Sequence, residues 1–475
     1  MKITFSLGAL TAVRLAELCE GKLIGDRIQS NIAVEGICTD SREAGAGVAF
    51  CALRGERVDG HSFIGSVLER GCGVILCEHI PEGIDSENAA FILVSNVEAS
   101  LSVLAMNYKR MLSCKTVAVT GSVGKTTTKD MISSVLEARF DAFRSQGNYN
   151  SVIGMPLSML EIPSKTEYAV LEMGMSGFGE IERLSMAAQP DFAVITTIGT
   201  SHLEMLGSRE NICRAKLEIL CGLKRGGTIF LNGDEPLLEK VYGKSYKTVY
   251  VSTKRENAEY FAKNIMVEND CTRFDIVYKG RIVKDLCVRV VGAHNVYSAL
   301  FAFAIGIECG MSEEEIRRGL LGFAPAHLRQ NIYRIGNVVI MEDCYNASPE
   351  SMKAAIDVLQ SYKRFSSGKT VAVLGDMLEL GEESTMLHRQ VGAHLAECGV
   401  NQLYTLGKGG GFIAVGAKQC GMPSARISEF PSYEDRMEAI AEALCGAIEE
   451  GDVVLFKASR GVRIERLIEE LKKRL

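Results

Sequence analysis

The stretch VAVTGSVGKTTTKDM (residues 117–131) decides how the chain is read. An apolar run suited to a buried strand breaks at Gly121, turns through Gly124, and gives way to Lys125 and three threonines that open a predicted helix. Glycines in such a turn let backbone N–H groups approach phosphate oxygens, and the helix that follows points its positive end at the same place. Gly121, Ser122, Val123, Gly124, Lys125, Thr126 and Thr127 therefore form a candidate phosphate cradle. Lys125 supplies a point charge for the outer phosphates, and the Thr126 hydroxyl is a natural magnesium ligand. The common pattern GxxxxGK[ST] wants glycine at 119, where valine stands, but the strand before and the helix after are as the motif requires.

Working outward, the chain alternates apolar strands with amphipathic helices. Strands are expected at 116–120, 168–174, 192–199 and 227–234, and helices at 294–310 and 312–323. This spacing argues for βαβ units and a mainly parallel, doubly wound α/β sheet. APAHLRQ (324–330) reads as a hinge, after which a second alternating block places strands at 337–344, 370–377, 401–407 and 452–459. In front of the phosphate loop, short strands at 48–53, 73–78 and 91–96 make a smaller unit that ends near residue 110.

At 475 residues, with 47% hydrophobic and 24% charged content, the chain exceeds one hydrophobic core, and two to four domains are expected. A net charge of −6 gives no field to hold a polyanion, so nucleic acid is excluded as a partner. The fifteen cysteines lack CxxC pairs and read as reduced, mostly buried thiols. The N-terminal apolar run is interrupted by Arg14, Glu17 and Glu20, which suits an amphipathic helix, and no segment approaches a membrane span. A cytoplasmic protein is expected.

Magnesium wants a few hard oxygen ligands. Glu172 ends an apolar strand, where a carboxylate is costly to bury unless paired or metal-bound; alternatively it faces solvent at the strand end. His202 follows a strand and could equally cap or hydrogen-bond in the core. Lys216 sits at helical spacing and reads as a solvated surface lysine. In DCYNASPESM (343–352), Ser348 as N-cap and Pro349 at the first helical position make a strand-to-helix junction that needs no ligand, and TDSR (39–42) reads as a turn.

Taken together and in order, GSVGKTTTK, LEMG, SHLE, RAKLEIL, NGDEPLL, GAHNVYSAL, DCYNASPESM, GDMLELGEES and FKASRG resemble the Mur ligase family, the ATP-dependent amide-forming enzymes of peptidoglycan precursor synthesis. TDSRE (39–43) with VAFCALRGERVDGHSFI (48–64) is similar to a uridine-binding N-terminal domain. GNYNSVIGMPLSML (147–160) and GDMLELGEESTMLHRQVG (375–392) are similar to the family member that adds a dipeptide. The resemblance implies three domains. Residues 1–110 would bind the UDP-sugar, 111–325 would hold ATP at a P-loop-like site in the doubly wound sheet, and 326–475 would form a Rossmann-like α/β unit for the incoming dipeptide.

The implied reaction joins D-Ala-D-Ala to UDP-N-acetylmuramoyl-tripeptide through an acyl phosphate, serving cell wall biogenesis and with it cell shape and division. By the same resemblance Lys125, Glu172, His202, Lys216 and Arg329 carry catalysis, and Thr126, Glu172, His202 and Lys216 hold Mg2+, Lys216 as a carbamate. ATP would further meet Asn295, Arg329, Asp343 and Asn346. Thr39, Asp40, Ser41, Arg42, Asn148 and Asn150 would bind the UDP-linked substrate, and Lys457, Ser459 and Arg460 the dipeptide's carboxylate. The chain departs from the family pattern at Ser151, at AHLRQ before Arg329, and at Ala458. A monomer is expected. The competing readings are a ligase adding diaminopimelate or lysine to the UDP-linked dipeptide, and a nucleotide-sensing protein without turnover.

Overall fold

A computed structural model describes residues 1–26, 28–55, 57–84, 89–326 and 328–474. Residue 56 of the expected uridine-binding stretch and residue 327 of the expected hinge lie outside them. The described residues form three large sheets in chain order and one two-stranded ribbon.

The central sheet has nine strands, and its order shows why the phosphate loop lies where it does. Lys115–Thr120 runs between Tyr168–Glu172 on one side and Phe192–Ile195 on the other, all parallel. The chain therefore leaves Lys115–Thr120 at the point where strand order reverses, the crevice in which open α/β sheets bind ligands. Tyr168–Glu172 is buried throughout, and so is Lys115–Thr120 beyond its first residue, as expected when helices cover both faces of a parallel sheet. The helix Asn295–Glu308 is apolar around nearly its whole circumference and is buried through most of its length against Lys125–Glu137.

The far edge of this sheet was not expected from the sequence. Tyr260–Val267 continues the parallel run, but Thr272–Tyr278 and Arg281–Val288 then add as antiparallel strands. Their signal is present: Thr272–Tyr278 alternates buried and half-buried positions residue by residue, the period of a half-covered strand.

The first sheet pairs Gly36–Cys38, Val48–Cys51, Val74–Cys77 and Ala90–Leu93 in parallel, with antiparallel Lys2–Thr4 and Lys22–Ile24 at its edges. The third pairs Val338–Glu342, Val453–Lys457, Thr370–Leu374, Gln402–Leu406 and Ile427–Phe430 in parallel, with Asn331–Ile335 antiparallel at the edge. Among the described residues no helix is long and apolar enough to cross a membrane.

Candidate active site

The phosphate loop is built by two glycines that no other residue could replace without rearrangement. Gly121 (φ +148°) lies so close to Thr196 that a Cβ would meet its hydroxyl at 1.8 Å, and Gly124 caps the following helix in the left-handed region (φ +83°). Thr196 Oγ1 donates to the Val123 carbonyl (2.6 Å), and the Ser122 N–H donates to the Thr197 carbonyl (2.9 Å), which ties the loop to the neighbouring strand. Lys125 Nζ donates to the Gly121 (2.7 Å) and Ser122 (3.3 Å) carbonyls. Its burial pushes the ammonium below the ordinary lysine value, and the Arg329 charge adds to this while Glu172 opposes it.

Glu172 is not at a solvent-facing strand end but 2% exposed. Its Oε2 accepts from the Thr126 hydroxyl (2.6 Å) and its Oε1 from the Asn150 amide (2.9 Å), with Lys129 Nζ at 3.8 Å. Burial, the largest single influence, works to raise the carboxyl; Lys129, Lys125, Arg329 and the Thr126 hydroxyl together outweigh it and hold it below the ordinary value. Lys129 was missed in the sequence reading, although it stands four residues after Lys125 on the same helix face, a spacing that could have found it.

The third sheet closes the other side of the cleft. Arg329 lies between Leu328 (φ +61°) and Gln330 (φ +48°), two left-handed positions in a row of irregular backbone, and its guanidinium stacks on Tyr345 at 4.0 Å. Asn295 donates to Gln330 Oε1 (2.9 Å) and to the Val291 carbonyl (3.1 Å). Asp343 pairs with the buried Lys457 (2.5 Å), which also donates to the Asn346 carbonyl (3.1 Å). These groups, the phosphate loop, Asn150, Glu172 and His202 line one cleft of about 540 Å³. Two contacts bridge it: Glu350 accepts from the Thr200 N–H (3.0 Å), and His202 Nδ1 meets Glu379 at 2.6 Å. The His202 ring holds the Glu379 carboxyl below its ordinary value. Neither Glu350 nor Glu379 was singled out from the sequence, because both act across elements more than a hundred residues apart.

Other expected residues fall differently. Lys216 is no surface lysine: it is 1% exposed on the helix Arg209–Leu217, pairs with no carboxylate among the described residues, and is driven well below the ordinary lysine value by burial and by the Lys125 charge. Helical spacing alone cannot tell which face a short helix buries. Lys457, Ser459 and Arg460 do not share one surface. Lys457 lines the cleft, the Ser459 hydroxyl accepts from the Leu378 N–H (3.0 Å), and the exposed Arg460 pairs with Glu465 (2.7 Å). Asn150 reaches the cleft, whereas Asn148 is not among its lining residues. Thr39, Asp40, Ser41 and Arg42 also lie outside it, with Asp40 capping the turn Ser41–Glu43 through the Arg42 N–H (3.0 Å).

Residues 33–110 match the Mur ligase family catalytic domain, 119–306 the Mur ligase middle domain, and 329–460 the Mur ligase glutamate ligase domain. A Bacillus subtilis protein named UDP-N-acetylmuramoyl-tripeptide–D-alanyl-D-alanine ligase is 40% identical over 97% of this chain and 98% of its own length. The chain belongs to the Mur ligase family. A Synechocystis protein of the same name is 32% identical over 94% of this chain and 93% of its own. Among solved Mur ligases, MurF from Acinetobacter baumannii superposes with a TM-score of 0.88 at 29% identity, covering 99% of this chain and all of the other. MurF from Thermotoga maritima in complex with ADP gives 0.81 at 30% identity, covering 92% and 97%.

Proposed function

We propose that this Mur ligase joins D-Ala-D-Ala to UDP-N-acetylmuramoyl-tripeptide, splitting ATP to ADP and phosphate, in the assembly of a peptidoglycan precursor. The observation that carries the reading is geometric: Lys125, Arg329, Glu172 and the Asp343–Lys457 pair, contributed by two separate sheets, face a single cleft. The substrate pair is drawn from the names of relatives that match along nearly the whole chain.

A carboxylate oxygen is a poor leaving group. The tripeptide's terminal carboxylate attacks the γ-phosphorus, ADP departs, and an acyl phosphate results. The neutral amine of the dipeptide adds to the acyl carbon, and the tetrahedral intermediate expels phosphate and a proton to leave the amide. Such transfers need positioning and charge neutralisation more than covalent help from side chains. Lys125 and Arg329 supply positive charge at the phosphoryl group, while Asn295, Asp343 and Asn346 orient the nucleotide. Closure of the cleft between the two sheets would exclude water from the acyl phosphate.

Mg2+ fits the donors present: Thr126 and Glu172 place two hard oxygens 2.6 Å apart in a buried position, and Glu379 on His202 Nδ1 leaves Nε2 as the ring's ligand nitrogen. The ion would neutralise phosphate charge there. Lys216 would hold a second one as a carbamate, and its depressed ammonium gives the neutral amine that reaction with CO₂ requires. Residues 1–110 bind the UDP-sugar through Thr39, Asp40, Ser41 and Arg42, with Asn148 and Asn150 further in; 111–325 bind ATP; 326–475 bring the dipeptide. One chain carries every group, so a cytoplasmic monomer suffices.

The test is phosphate release from ATP with a panel of amines. D-Ala-D-Ala should stimulate release with the UDP-linked tripeptide. Stimulation instead by lysine or diaminopimelate with the UDP-linked dipeptide would assign the earlier step. ATP binding without release in the presence of every pair would indicate a sensor.

A further inference from the structure

Away from the cleft, three side chains of differing chemistry converge between two helices. Asp357 lies on Pro349–Tyr362; His394 lies on Ser384–Glu397, and Cys398 closes that helix by donating its N–H to the His394 carbonyl (2.9 Å). His394 Nε2 is 2.7 Å from Asp357 Oδ1, Cys398 Sγ is 3.5 Å from the same nitrogen, and Sγ is 3.7 Å from Oδ1. We propose that Asp357, His394 and Cys398 form a site for a borderline-soft divalent cation of zinc type, clamping these two helices together.

The arrangement distinguishes a metal site from a nucleophilic relay. A relay needs the carboxylate on one ring nitrogen and the thiol on the other. Here both approach Nε2, so three donors surround one point rather than forming a chain. With zinc bonds of about 2.0–2.3 Å and tetrahedral angles, donors of these kinds stand about 3.4–3.7 Å apart. The two sulfur distances already match; only the His–Asp pair must open, and both helices present it near the surface. Asp357, 57% exposed, leaves the fourth position to water.

Gln360, one turn beyond Asp357, has its amide beside Gly399, and its Oε1 is buried without a hydrogen-bond partner among the described residues. With a thiolate among its donors the set suits neither Mg2+ nor Ca2+, so this ion would not compete for the ATP-site metal. The same helix Pro349–Tyr362 begins at the cleft, where Glu350, Ser351 and Ala354 line it, one turn before Asp357.

Full-length protein stripped with a chelator and titrated with Co2+ in Mg2+ buffer provides the test. A thiolate-to-cobalt charge-transfer band should grow to a single equivalent and vanish on adding Zn2+, and Zn2+ should raise Tm. Cys398→Ser should remove the band and the Tm rise, and His394→Ala should weaken binding about tenfold or more. Circular dichroism identifies variants that fold normally. No band in the folded wild-type protein, or an undiminished band in folded Cys398→Ser or His394→Ala, would overturn the site. These readouts are optical and thermal, so a failed ligase assay leaves them untouched.

Discussion

Glu172 and Asp40 are both carboxyl groups held below their ordinary range, and they are held there in opposite ways. Asp40 sits at an open turn and is lowered first by hydrogen bonds from Arg42, two residues away and exposed. Water screens that pair, which makes it a local device of little weight for stability. Glu172 is buried, where desolvation works against its charge, and it stays ionised because Lys129, Lys125, Arg329 and Thr126 surround it from two sheets. The first arrangement is complete within a single turn. The second is a preorganised charge cluster, costly to desolvate and useful once a phosphate arrives.

Lys125→Ala should break the buried side of this comparison most severely. It should lower turnover by about a thousandfold, by analogy with losing a preorganised oxyanion donor, while circular dichroism shows an intact fold. Near-normal turnover would detach the loop from the chemistry. Lys216→Ala should lower turnover by about a hundredfold, with partial recovery when short carboxylates are added; an unimpaired variant, or none recovering, counts against a carbamate.

Lys216 also carries a pH signature. Its folded value is depressed, so between that value and the unfolded value of about 10.4 the unfolded chain binds the extra proton and stability rises with pH. In metal-free, CO₂-free buffer Lys216→Met should therefore melt higher than wild type at neutral pH, with the difference shrinking as pH rises towards about 10. A difference that grows with pH would mean the lysine is charged in the fold.

Glu379→Gln weakens the support of His202 and removes a carboxylate charge that acts on Lys125, so turnover should fall about tenfold, with apparent Mg2+ affinity falling alongside it. Arg42→Ala should have the smallest effect: a rise in KM for the UDP-linked substrate with kcat unchanged, the mark of uniform binding. A fall in kcat there would erase the contrast with Glu172.

What the sequence disclosed follows the same division. The phosphate loop was legible because its requirements are local: two glycines, a lysine and a hydroxyl, between a strand and a helix. Glu172 was legible as a carboxylate ending an apolar run. The Asp343–Lys457 pair was not, because 114 residues separate its members and only the neighbouring strands Val338–Glu342 and Val453–Lys457 bring them together. The burial of Lys216 and the grip of Glu379 on His202 were hidden for the same reason. The antiparallel strands after residue 271 carried a readable alternation, but it was masked by the stronger βαβ rhythm before them.

The most direct measurement places oxygen-18 in the terminal carboxylate of the UDP-linked tripeptide and follows the label through one round of ligation with D-Ala-D-Ala and ATP. Acyl-phosphate chemistry at this cleft predicts one labelled oxygen in the released phosphate and ADP as the nucleotide product. Unlabelled phosphate, or AMP carrying the label, would contradict it.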